Sequence, residues 1–194
     1  MKSNDQKGFS LVEMLISLTI LLLAMTGLSS LLIQNSRLNK AQQMTVEVQS
    51  NARNCLSLLV QKVRSAGWDP TNTGFSSVTT DTNLGDNISE LELFMDLNGN
   101  TDTLDLDEAV LIRHVNNQVV LRRTASSAFL VVANNISNDA DGDGTIEPMF
   151  VPDDTANPTR ITIQITARSP VPDPTSGDFI RYTVSSDVVL RKEL

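Results

Sequence analysis

Hydrophobic and polar positions divide the chain into three regimes. From Phe9 to Ile33 it reads FSLVEMLISLTILLLAMTGLSSLLI, apolar on every helical face, and Met14–Ser36 runs 23 residues without a charge. About 20 apolar residues span a ~30 Å hydrocarbon core as a helix. From residue 34 the apolar positions narrow to one stripe. Leu38, Ala41, Thr45, Val48, Ala52, Cys55, Leu59, Val63 and Ala66 follow at steps of three and four, the spacing of an amphipathic helix. No Pro or Gly interrupts residues 28–66, and Gly67 and Pro70 supply a stop. The pattern predicts one helix over residues 9–66, about 87 Å long at 1.5 Å per residue. Only its first ~30 Å fits a bilayer, so the remainder must lie on the rest of the chain.

Beyond Trp68 the pattern shortens to runs of period two separated by turn residues. Strands are expected at Glu90–Met95, Ala109–Val115, Gln118–Arg123, Thr159–Arg168 and Phe179–Leu190. Asn116-Asn117 reads as a two-residue hairpin turn, and the Pro-rich stretch Ser169–Asp178 as a loop. The fold class is α+β: a long N-terminal helix packed on one face of an antiparallel sheet.

Net charge sharpens this division. The total of −8 splits into +1 for residues 1–8, −1 for 9–33, +4 for 34–66 and −12 for 67–194. An acidic head argues against nucleic-acid binding. A single Cys and a single His exclude a disulfide framework and a Cys-based zinc site. Cys55 falls on the apolar stripe and reads as a buried, inert residue. His114 falls in a strand and reads as a packed or surface side chain. Arg37, Lys40, Arg53, Lys62 and Arg64 form a basic outer face on the helix. No G-x-S-x-G, P-loop or H-E-x-x-H motif is present, so catalysis is not expected. Lys2 and Lys7 precede the apolar span and favour a cytoplasmic leader with the rest exported.

Glu13 is the anomaly of the apolar span. A charged side chain there costs about 2.5–3.5 kcal/mol at the bilayer centre, and less near the edge. It calls for a partner, and the span holds no basic residue. An amine freed at Phe9 would be a cation one turn earlier. The run Lys7-Gly8-Phe9-Ser10-Leu11-Val12-Glu13-Met14-Leu15-Ile16 resembles the cleavage and methylation motif of type IV prepilins. The resemblance implies a cut between Gly8 and Phe9, N-methylation of Phe9 by the same peptidase, and a role for Glu13 in pairing with a neighbouring subunit's terminal amine. It implies the type IV pilin fold as well. One departure is the lack of a proline late in the apolar span, which major pilins usually carry. The stretch Val48–Pro70, with Asn51-Ala52-Arg53 and Ala66-Gly67-Trp68, resembles the helix end of W-type minor pilins and J-type pseudopilins.

On this basis residues 1–8 are expected to be a cleaved leader, 9–33 the transmembrane and assembly part of the helix, 34–66 its amphipathic part and 67–194 the acidic head. The resemblance implies a minor pilin, held first in the bacterial inner membrane with its head outside the cytoplasm, then carried in a periplasmic or cell-surface filament. Its partners would be the prepilin peptidase/methyltransferase and other pilin subunits. Alternatives are a J-type pseudopilin of type II secretion and a membrane-anchored calcium-binding protein or enzyme.

Two acidic loops remain. Asp139, Asp141, Asp143, Thr145 and Glu147 match the first part of an EF-hand-type calcium loop, with Phe150 where the closing acid would fall. Asp96, Asn98, Asn100, Asp102 and Asp107 form a weaker match, without Gly at the sixth place. No cofactor is required; each loop reads either as a structural Ca²⁺ site or as a solvated Asx-Gly turn.

Overall fold

The computed structural model describes residues 10–71, 74–81, 89–154 and 158–191. The sites expected at Gly8 and Phe9 lie outside them. One helix, α1 (Leu11–Ser65), runs unbroken for 55 residues, about 80 Å. Its two halves meet different surroundings. Every residue from Ser10 to Lys40 is exposed, whereas Met44, Val48, Ala52, Cys55, Leu59 and Val63 are buried at intervals of three and four. The stripe therefore starts later than the sequence pattern suggests. Leu38 is 50% exposed, and Met44 takes the inward place beside a half-buried Thr45, whose hydroxyl bonds back to Ala41 O.

The helix ends where the pattern places its stop. Ala66 leaves helical geometry with ψ 142°, and Gly67 follows at φ +75°, a backbone that non-Gly residues adopt at a cost. A Cβ at Gly67 would lie 2.7 Å from Arg191 O. Glycine thus permits both the turn and the close approach of the C-terminal segment.

The head is two antiparallel sheets rather than one. The larger has the order β1 (Val78–Asp81), β2 (Ser89–Phe94), β3 (Ala109–Val115), β4 (Gln118–Arg122), β5 (Leu130–Asn134). The smaller has the order β6 (Phe150–Pro152), β7 (Arg160–Arg168), β8 (Arg181–Val189). Helix α1 lies chiefly on β7 and β8 and touches β5. The sheets part after β5 because Asn135 and Asn138 both take positive φ and turn the chain aside. The segment between them is stitched across the gap. Ile136 bridges Ala167, Arg168 N donates to Asn135 O, and Ser137 N to Thr166 O.

One core joins all three layers. Val48, Ala52, Cys55, Leu59 and Val63 of α1 meet Leu91, Leu93, Ile112, Val119, Ile161, Ile163 and Ile165. Inward residues alternate along β2 and along β7 as far as Ile165, as a half-buried sheet requires, and β7 is then buried on both faces at Thr166 and Ala167. The hairpin turn Asn116-Asn117 has φ +51° and +58°, as a two-residue turn matched to strand twist demands.

Candidate functional site

The first candidate is the bare half of α1. Leu, Ile, Met and Val side chains from Leu11 to Ile33 stand largely in the open, and Leu31 is 63% exposed. By length and composition this helix can cross a membrane, and none of its apolar window is buried against the head. The polar side chains in the span are handled internally. The hydroxyls of Ser17, Thr19, Thr26, Ser29 and Ser30 each donate to a carbonyl three or four residues earlier, at 2.7–3.2 Å. That pattern leaves no orphan hydroxyl to meet hydrocarbon. Among the described residues, the Glu13 carboxylate is the polar side chain between Leu11 and Ile33 that no helix group pairs. It lies in the first turn, where the helix dipole favours an anion.

The second candidate is the pair of acidic loops, which share one backbone plan. Asp96 Oδ1 accepts Gly99 N at 2.6 Å, and Asp139 Oδ1 accepts Gly142 N at 2.6 Å. Asn98 Oδ1 then accepts Asn100 N, and Asn100 Oδ1 accepts Asp102 N. In the other loop Asp141 serves Asp143 N, and Asp143 serves Thr145 N. Positive φ falls at Gly99 and Thr101 in one, at Gly142 and Gly144 in the other. A glutamate closes each. Glu108 Oε1 accepts Leu97 N at 2.9 Å, and Glu147 Oε2 accepts Ala140 N at 3.1 Å.

Individual acids differ from expectation. Asp107 does not close the 96–108 loop. Its carboxylate pairs with the Arg123 guanidinium, which holds its pKa below the usual carboxylate range. The closing acid is its neighbour Glu108, one place later than the twelve-residue template puts it. The signal was present in the Asp-Glu pair but is invisible to a fixed spacing. Asp139, Asp141 and Asp143 do converge, with oxygens within 4.8 Å of one another. A cation already sits beside them, because Arg181 Nη2 lies 3.9 Å from Asp139 Oδ2 and its guanidinium packs on Gly142. Hydrogen bonds from Thr145 hold the Asp143 pKa low. Asp153 cannot replace the missing twelfth ligand without breaking its own loop, since its carboxylate accepts from Thr159 and from Arg160 N.

Cys55 and His114 are structural. Burial pushes the Cys55 thiol up to about 12, so it stays protonated and inert. His114, 1% exposed, shares a 2.8 Å bond between Nε2 and Ile136 O, tying the linking segment to β3.

These features define a class first. A long N-terminal apolar helix packed against antiparallel sheets is an α+β arrangement consistent with the type IV pilin fold. The family model described as a prokaryotic N-terminal methylation motif matches residues 3–29, consistent with a type IV prepilin-like protein. The motif supports a pilin-like or pseudopilin role in general, structural rather than catalytic. It implies processing by the peptidase and assembly with other pilin subunits. Together with the apolar helix it fits a precursor anchored in the inner membrane. No curated protein and no solved structure matches the chain.

Proposed function

We propose that the chain is a minor pilin of a type IV pilus, cleaved between Gly8 and Phe9, methylated on Phe9 and inserted into the filament through Glu13. The observation that carries this reading is the bare apolar half of α1, where, among the described residues, the Glu13 carboxylate is the polar side chain that the helix itself leaves unpaired. In a filament the apolar faces bury against neighbouring helices and Glu13 meets a neighbour's terminal amine. The acidic head then faces outward, beyond the cytoplasm. The resemblance of Val48–Pro70 to W-type minor pilins supports a low-abundance place near the initiating end.

The test is made in cells that carry the peptidase and filament machinery. Mass spectrometry of the mature chain is expected to show an N-terminal methylated Phe9. Gly8→Ala should leave the precursor uncut, and maturation of that variant would refute the cleavage site. Glu13→Ala should be cut normally yet be depleted from sheared filaments; equal incorporation would refute the role of Glu13. Recovery only in a secretion pseudopilus, and not in a surface pilus, would replace minor pilin by J-type pseudopilin.

A further inference from the structure

Glu108 is a buried acid in the head with one oxygen left unpaired. It is 1% exposed. Oε1 accepts Leu97 N at 2.9 Å and Asn98 N at 3.3 Å, which seats the carboxylate under the start of the 96–108 loop. Oε2 is buried with no hydrogen-bond partner. Asp96, also fully buried, lies in the same loop. Among the described residues its carboxylate accepts from neutral donors, Gly99 N and Thr101 N, with the Thr71 hydroxyl, which also reaches Asp69, 3.3 Å away. Among the described residues no Lys, Arg or His forms an ion pair with either acid. Two buried carboxylates side by side, with no paired cation among the described residues, make a place that a bound cation would stabilise.

We propose that this loop binds one calcium ion, held by the carboxylates of Asp96 and Glu108 and the amide oxygens of Asn98 and Asn100. The donor set is all oxygen, with no nitrogen or sulfur ligand, which suits a hard cation. Side-chain oxygens at the first, third and fifth places plus a closing Glu follow the logic of calcium loops, and four or more protein oxygens suit calcium better than magnesium, which keeps most of its waters. Asp105 orients the two amides. Asn98 Nδ2 and Asn100 Nδ2 both donate to Asp105 Oδ2, at 2.9 and 2.8 Å. Their nitrogen ends are thereby fixed on one side and their oxygens turned away from it. An amide oxygen that already accepts one N–H keeps a second lone pair for a metal. The 139–147 loop shares the backbone plan but has Arg181 against it, and Glu147 lacks the buried orphan oxygen that marks Glu108. The loop and Glu13 lie in separate parts of the chain, so calcium binding here does not require filament assembly.

The experiment uses the full chain in detergent micelles, with Trp68 fluorescence following thermal unfolding in CaCl₂ or in a calcium chelator. The 139–147 loop is silenced in every sample by Asp141→Asn and Asp143→Asn, both at exposed positions. Calcium is expected to raise the midpoint by at least about 5 °C at saturation. Adding Glu108→Gln should abolish that shift. Asn100→Asp adds a ligand charge, so it should lower the midpoint in chelator, through repulsion with Asp105, and reduce the half-saturating calcium about tenfold. The absence of a calcium shift, or a shift that survives Glu108→Gln, overturns the site. If Glu108→Gln shows no cooperative transition, Asn100→Asp decides, and an unchanged calcium response overturns the proposal. A chain insensitive to calcium but stabilised by Glu108→Gln would overturn the site and leave Glu108 as a buried structural side chain.

Discussion

Leu31 and Leu59 are the same residue type on the same helix, yet their truncation should have very unequal consequences. Leu59 is 0% exposed, at the centre of the stripe that docks α1 on the head, whereas Leu31 is 63% exposed and touches no part of it. Leu59→Ala removes buried carbons and leaves a cavity between the helix and the sheets. Fully buried Leu→Ala changes cost 2–5 kcal/mol, and about 3 kcal/mol is a fair centre for a site packed from several elements. Unfolding entropy runs near 2.1 cal/mol/K per residue, so over roughly 150 cooperative residues about 3 kcal/mol lowers the midpoint by about 10 °C. Leu31→Ala should shift it by under about 1 °C, because the exposed half of α1 contributes nothing to the head's core. The assay is thermal unfolding of both variants in micelles, followed through Trp68, the only tryptophan, whose ring stacks on Arg191 at 4.6 Å. Far-UV dichroism would blur the comparison, since the micelle keeps the apolar half helical. Equal shifts for the two variants, or a loss below about 3 °C for Leu59→Ala, would refute the division of α1 into a docked half and a bare half.

Three more outcomes follow from single residues. Gly67→Ala places a Cβ 2.7 Å from Arg191 O in a positive-φ backbone, so denaturant unfolding should show a loss of about 1–3 kcal/mol; an unchanged midpoint would mean the C-terminal segment does not pack there. His114 is held neutral, because burial lowers its pKa below 6.5 and Nδ1 is buried without a partner. Its stabilising contribution is thus complete above pH about 6.5 and lost as pH falls toward the lower folded value. The melting midpoint should drop as pH falls below about 6.5, and His114→Leu, though less stable throughout, should lose that slope; a persisting slope would assign it to other groups. Cys55 should react with maleimide only on unfolding, since its thiol is buried with a pKa near 12; rapid labelling of the native chain would contradict the docking of α1.

The helix and the long strands were legible because their signals are local and periodic. β3 spans Ala109–Val115, the apolar run that flanks the Asn116-Asn117 turn, and β7 differs by one residue at its start. What escaped has no local period. β6 is three residues long. β5 reads as a run of apolar residues, but Leu130 and Val131 are over half exposed at a sheet edge. The division into two sheets rests on Asn135 and Asn138 adopting positive φ, which Asn tolerates without announcing. The same limit applied to the acidic loops. Spacing drew attention to Asp107, yet only three-dimensional packing reveals that Arg123 claims Asp107 while Glu108 turns under the loop.

The bare half of α1 also explains why one acid can matter so much in the proposed filament. A uniformly apolar helix packs against its neighbours almost equally well at many axial offsets, because sliding by one turn of 5.4 Å replaces one Leu or Ile contact by another. The Ser and Thr hydroxyls add no preference, since each is already satisfied within its own helix. Glu13 is different. In the register that brings it to a neighbour's terminal amine, two charges neutralise each other; in any other, both stay unpaired in a low-dielectric core, at a cost of several kcal/mol. The discrimination comes from the penalty on wrong registers rather than from the strength of the correct pair. Replacing Glu13 by a neutral residue should therefore leave apolar association intact while removing the term that selects one offset, so the defect falls on ordered incorporation rather than on membrane insertion.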